Sequence, residues 1–152
     1  MSDPIAFDDT TPRLDLPLLF AGQAQKEFTV NEALLRADLA IQCVVEGERD
    51  DPPPTPVPGL AWLVGATPSG EFAGHAAAIA GWSEAGWRFV AAAVGLRVFD
   101  KSAACFRHYD GAWRLPALPA APSGGATIDA EARAALVNLI ETLADAGIFA
   151  TG

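Results

Sequence analysis

The stretch IAGWSEAGWRFV, Ile79 to Val90, sets two apolar and aromatic runs on either side of Ser83-Glu84-Ala85-Gly86. Aromatic and β-branched residues suit a pleated, half-buried surface, and a short Gly-containing segment between two such runs reads as a hairpin turn. HYDGAWRL, His108 to Leu115, echoes it: an aromatic, a tight turn, then Trp-Arg-apolar, with Trp87 and Trp113 at corresponding positions. The flanking runs LAWLVG, AAAIAGW, GWRFVAA, GLRVFD, ACFRHYD and AWRLPA are punctuated by SEAG, DKSA and DG. Residues 60–115 are therefore expected to form a small antiparallel β-meander, sheet or barrel-like, with both hairpins in one sheet.

Upstream, AGQAQKEFTVNEALLRAD (Ala21 to Asp38) crowds amides and charges together. Thr29 and Glu32 have capping-box spacing, which predicts a helix from about Val30 to Asp38. Lys26 and Glu27 then read as the solvated side of its first turn. AIQCVVEG changes to period two, with Ile41, Cys43 and Val45 on one side, and is expected to be a strand. ERDDPPPTPVPG (Glu48 to Gly59) reads as a stiff, proline-rich crossing.

Downstream, Asp129 and Glu131 mark the start of a helix, and Gly147-Ile148 marks a Schellman stop. Ala132, Leu136, Leu139, Leu143 and Ala146 form a short 4-3-4-3 seam that Ile140 widens. That face packs either on the chain's own sheet or on another copy. The expected class is α+β, divided into an extended arm (1–19), a β-domain with an N-terminal helix (20–115), a Pro/Gly/Ala linker (116–127) and an amphipathic helix (128–149). The arm's prolines fix an extended backbone, while Leu14, Leu16, Leu18, Leu19 and Phe20 are too apolar for a purely solvated tail.

The 152 residues are 51% hydrophobic and 19% charged, with a net charge of −9. That balance argues against a nucleic-acid surface, which needs clustered Lys and Arg. No run of about 18 apolar residues exists to span a membrane, and the N-terminus lacks the basic and apolar regions of a signal peptide. Synthesis in the cytoplasm follows, with Cys43 and Cys105 as buried free thiols. His75 and His108 have no second ligand at metal-binding spacing, so neither metal nor cofactor is expected.

Glu27 and Glu32 are the best carboxylate pair for glycosidase-type chemistry, but the capping box already accounts for Glu32. His108 and Asp110 are ordinary same-face strand neighbours. No enzyme is expected. Trp82 and Trp87, around one hairpin, either join the core or form a platform on which a sugar ring stacks.

Gly22-Gln23-Ala24-Gln25-Lys26-Glu27, Thr29, Asn31-Glu32-Ala33-Leu34, Asp38 and Gln42, followed by Ile79 to Phe89 and Tyr109 to Trp113, resemble the family called domain of unknown function 2793. Members often carry histidine where this chain has Val30, so no role of that histidine transfers. The resemblance implies a structural component of tailed phages, prophages or gene transfer agents. A short version such as this is similar to a head-spike base that joins a capsid to a receptor-binding fibre. The implied location is the virion, and the implied partners are capsid and fibre proteins and further copies of the chain. On that reading the arm leucines with Phe20, and Leu136, Leu139 and Leu143, are docking residues. The alternative function is a module that binds host polysaccharide through Trp82 and Trp87.

Overall fold

A computed structural model of the chain describes residues 9–19, 22, 26–125 and 129–150. Two α-helices and eight strands make an α+β fold with a helix towards either end, as expected, in two compact units that divide between Ala92 and Ala93. The first unit holds α1 (Lys26–Ala40), β1 (Val44–Val45), β2 (Glu48–Arg49), β3 (Ala61–Val64), a 3₁₀ turn (Gly70–Phe72), β4 (Ile79–Ser83) and β5 (Gly86–Val90). The second holds β6 (Arg97–Asp100), β7 (Cys105–Tyr109), β8 (Trp113–Arg114) and α2 (Ala130–Asp145).

Each sequence run in the meander carries a strand, but the two hairpins lie in different sheets and neither sheet closes into a barrel. In the first unit the order is β2-β3-β4-β5, with β2 parallel to β3 and the other pairs antiparallel. In the second, β6-β7-β8 pair antiparallel. A hairpin is a local event that turn residues announce. Which strand lies beside it is decided by distant residues.

The register of the first sheet sorts its side chains onto two faces. Trp62, Val64, Ala80, Trp82, Trp87 and Phe89 share one face, and Phe72 from the 3₁₀ turn packs there with Val64, Ala78 and Ala80. On the other face, α1 lies over β4 and β5. A methyl group placed on Gly81 would sit 2.6 Å from Leu39 Cδ1, so helix and sheet approach this closely only because residue 81 lacks a side chain. Glu32 Oε2 reaches across to Arg88 Nε at 2.6 Å, and its Oε1 meets Arg36 at 2.8 Å.

These contacts correct the capping-box reading. The helix begins at Lys26, so Thr29 is an exposed residue inside it and Glu32 is a bridge to the sheet. Glu27 is buried rather than solvated, and its carboxylate accepts the Gly22 N–H at 3.1 Å. An acidic side chain in the first turn suits the positive end of the helix, and this one meets a preceding backbone donor there. The helix also runs on to Ala40. Ile41 and Gln42 turn, with φ of 45° at Gln42, and the expected strand shrinks to Val44–Val45. Cys43 and Val45 keep the predicted inward alternation, whereas Ile41 is exposed.

Residues 9–19 are not extended. Thr11 N–H donates to the Leu16 carbonyl and Leu18 N–H to that of Asp9, which folds the segment back on itself with Asp15 at φ of 52°. Two side chains of α1 then hold this turn. Asn31 donates to the Leu19 carbonyl and accepts from the Leu19 N–H, at 3.1 and 2.8 Å. Asp38, only 2% exposed, accepts from Thr11 Oγ1 (2.8 Å), Leu14 N–H (2.7 Å) and Arg13 N–H (3.2 Å). The Arg13 guanidinium donates to the carbonyls of Asp38, Leu39, Ile41 and Gln42, which caps the C-terminal end of α1.

In the second unit the expected caps of α2 are present. Asp129 accepts the Ala132 N–H at 2.9 Å. Gly147, at φ of 72°, donates to Ala144 while Ile148 donates to Leu143, as a Schellman stop requires. The Phe106 N–H donates to the Gly147 carbonyl at 2.7 Å, which ties the helix end to β7.

The Asp38 network predicts that Asp38→Ala costs about 3 kcal/mol, because the Thr11 hydroxyl and the Arg13 and Leu14 N–H groups lose a buried charged acceptor together. Deleting residues 1–13 removes Thr11 and Arg13 and has a similar effect. Urea unfolding measures both. An unchanged midpoint in either variant contradicts the network's role.

Candidate functional site

The first unit's aromatic face is the densest cluster of recognition-type side chains among the described residues. Trp87 sits at its centre. Trp62, Phe72 and Trp82 meet it edge-to-face, with centroids 5.7, 4.9 and 5.1 Å away, and its indole N–H donates to Glu71 Oε2 at 3.0 Å. Phe89 extends the cluster to His75, whose ring stacks parallel at 3.7 Å. Trp82 and Trp87 are cross-strand partners beside the Ser83–Gly86 turn, and each keeps part of its ring in solvent. The second hairpin repeats the device with Tyr109 and Trp113 at 5.3 Å.

Buried and partly exposed aromatics therefore coexist on one face. Trp62 is buried and Phe72 fully so, whereas Trp82 and Trp87 form a half-covered edge with a carboxylate beside it. Glu71, Phe72 and His75 are the partners that sequence reasoning missed. They come from GEFAGH, a segment with no strand or helix period, and only the fold brings it over the sheet.

The docking residues fall in both units. Leu14 is exposed at the turn, Leu16, Leu18 and Leu19 are half-buried, and Phe20 lies outside the described residues. On α2, Leu136 and Leu139 are 48% and 53% exposed and Leu143 is half-buried. Val137, Ile140 and Ala144 occupy the covered side of the helix, with Leu118, Pro119 and Ala121 of the preceding segment beside Val137 and Ile140.

Acidic residues of the second unit are engaged in structural contacts. Asp110 accepts from Arg114 Nε at 2.9 and 3.0 Å, and that bond holds its carboxyl below the ordinary range. Buried Asp100 accepts from Ser102 and from Arg107 Nε at 2.7 Å. Among the described residues, no three His, Cys, Asp or Glu side chains are grouped to hold a metal ion. Cys43 and Cys105 are free and buried, as expected. Burial pushes the Cys43 thiol up to about 11 against a smaller opposing pull from Arg13, and burial raises Cys105 too.

A profile of the DUF2793 family, proteins of unknown function, matches residues 30–114. That is more than half of the chain. The chain belongs to this family. The DUF2793 region takes in most of α1, all eight strands and the aromatic face, while residues 9–19 and α2 lie outside it. No curated protein and no solved structure matches the chain. No helix among the described residues is long and apolar enough to cross a membrane.

Trp87→Ala is expected to cost about 3 kcal/mol, because it empties the centre of the aromatic cluster. Trp82→Ala, at the cluster's edge, should cost about half as much, and thermal melts of the two variants check the order. Cys43 gives a pH signature. Its thiol keeps its proton in the folded chain up to about pH 11, whereas an ordinary thiol loses it near 9.0, so stability falls as pH rises between those values. The loss is roughly 2 kcal/mol by pH 11 relative to Cys43→Ala, read from unfolding curves of both proteins. Parallel pH profiles would contradict a protonated buried thiol.

Proposed function

We propose that this chain is a structural adaptor of a tailed-phage-like particle, a gene transfer agent or prophage, serving as a head-spike base that links the capsid to a host-binding fibre. Membership of the family supports this reading through the structural context that the sequence resemblance implies. The observation that carries it is the outward face of α2. Leu136 and Leu139 lie one turn apart and about half exposed, beside a covered stripe of the same helix formed by Val137, Ile140 and Ala144. Each leucine is already about half covered, so burying the rest against another copy or a particle protein contributes about 1 kcal/mol apiece to an interface. The acidic side chains support a structural part too, since Glu27, Glu32 and Asp110, the ones considered for chemistry, each hold a backbone donor or an arginine.

The alternative is a glycan-binding module. Its support is the Trp82–Trp87 pair, whose partly exposed rings and neighbouring Glu71 are the combination a sugar ring uses: an apolar face for stacking and an acceptor for a hydroxyl. The two readings are compatible in one particle component, but they lie on different residues.

Leu136→Glu with Leu139→Glu should weaken self-association at least about tenfold, measured by sedimentation equilibrium, and should leave the circular dichroism spectrum unchanged. A wild-type chain that stays monomeric at all concentrations and binds no particle protein counts against the adaptor. Retained saccharide binding in the same variant would assign the glycan activity to the aromatic face.

A further inference from the structure

The second unit carries a groove that neither reading uses. Gly95, Arg97, Phe106, His108, Pro116 and Ile148 line it. Arg97 and His108 are cross-strand partners, and Phe106 shares their face of the sheet by alternation. The Arg97 guanidinium lies over the Phe106 ring, 5.0 Å from its centroid. Among the described residues no carboxylate stands at ion-pair distance from Arg97, whereas Arg88, Arg107 and Arg114 each have one. A stacked guanidinium keeps its N–H edges free for a carboxylate. The walls beyond it, Pro116 and the exposed Ile148, are apolar. The groove thus asks for an acid followed by apolar side chains.

The chain's own first residues have that pattern. Ser2-Asp3-Pro4-Ile5-Ala6-Phe7-Asp8 is acidic and apolar in a chain of net charge −9. In an extended conformation Asp3, Ile5 and Phe7 fall on one side, spaced as an acid and two apolar groups. We propose that the groove receives this segment from a second copy of the chain. Asp3 pairs with Arg97 and His108, while Ile5 and Phe7 pack along Phe106, Pro116 and Ile148. Such a contact is heterologous, one chain's arm in the next chain's groove, and repeats into a ring when the rotation closes. The proposal rests on the self-association of the adaptor reading and assigns that association a second contact, separate from Leu136 and Leu139.

The test is charge reversal with mixing, on full-length protein, followed by sedimentation equilibrium. Arg97→Glu alone and Asp3→Arg alone should each weaken association about tenfold, because an attractive pair becomes repulsive. Mixing the two variants in equal amounts should restore association, since the arm of one matches the groove of the other. Singles that associate like wild type overturn the proposal, and so does a mixture that fails to recover. Recovery only when both changes sit in one chain shows the arm in its own groove and overturns the intermolecular contact. If association is lost in the Leu136/Leu139 variant but not in these, the adaptor reading stands and the arm-in-groove contact falls.

Discussion

One buried carboxylate organises the N-terminal third of this protein. Asp38, near the end of α1, accepts from Thr11 and from the backbone of Arg13 and Leu14, and Arg13 returns the contact by capping the last carbonyls of the same helix. A buried charge left alone is costly, so the turn and the helix end form together or not at all. That mutual dependence fixes where α1 stops. It places Leu39 against Gly81, seats the helix on β4 and β5, and leaves the opposite face of the sheet to the aromatic cluster.

Local signals in the sequence were legible and non-local ones were not. Turn residues around Glu84-Ala85 and Asp110-Gly111 announced both hairpins, and the runs GLRVFD and ACFRHYD between turn signals located β6 and β7. Asp129 and Gly147-Ile148 marked both ends of α2 because caps depend on neighbours within one turn. The start of α1 was misread for a related reason. Thr29 and Glu32 have the spacing of a cap, but Glu32 is drawn to Arg88, 56 positions away, and spacing carries no record of that partner. The division into two sheets, the parallel pairing of β2 with β3 and the return of residues 9–19 onto α1 are equally long-range.

The candidate sites divide in the same way. Trp82 and Trp87 stand out in sequence because they flank a turn, yet the groups that decide how much of them is covered, Glu71 and Phe72, come from a segment without a pattern. The seam of α2 was visible as a repeat. Only the fold separates its covered side, Val137, Ile140 and Ala144, from the outward Leu136 and Leu139. Arg97, Phe106 and His108 carried no motif at all, and strand pairing alone brings the guanidinium over the ring.

An adaptor is a chain whose exposed apolar and charged features are completed by neighbours, and the outward leucines of α2 and the Arg97 groove both fit that description. The most direct measurement is quantitative mass spectrometry of purified phage-like particles released by cells that encode the chain. The account predicts this protein at a fixed number of copies per particle, alongside capsid and fibre proteins, and retained after a high-salt wash. Particles that are complete and infective or transducing without it would contradict the account.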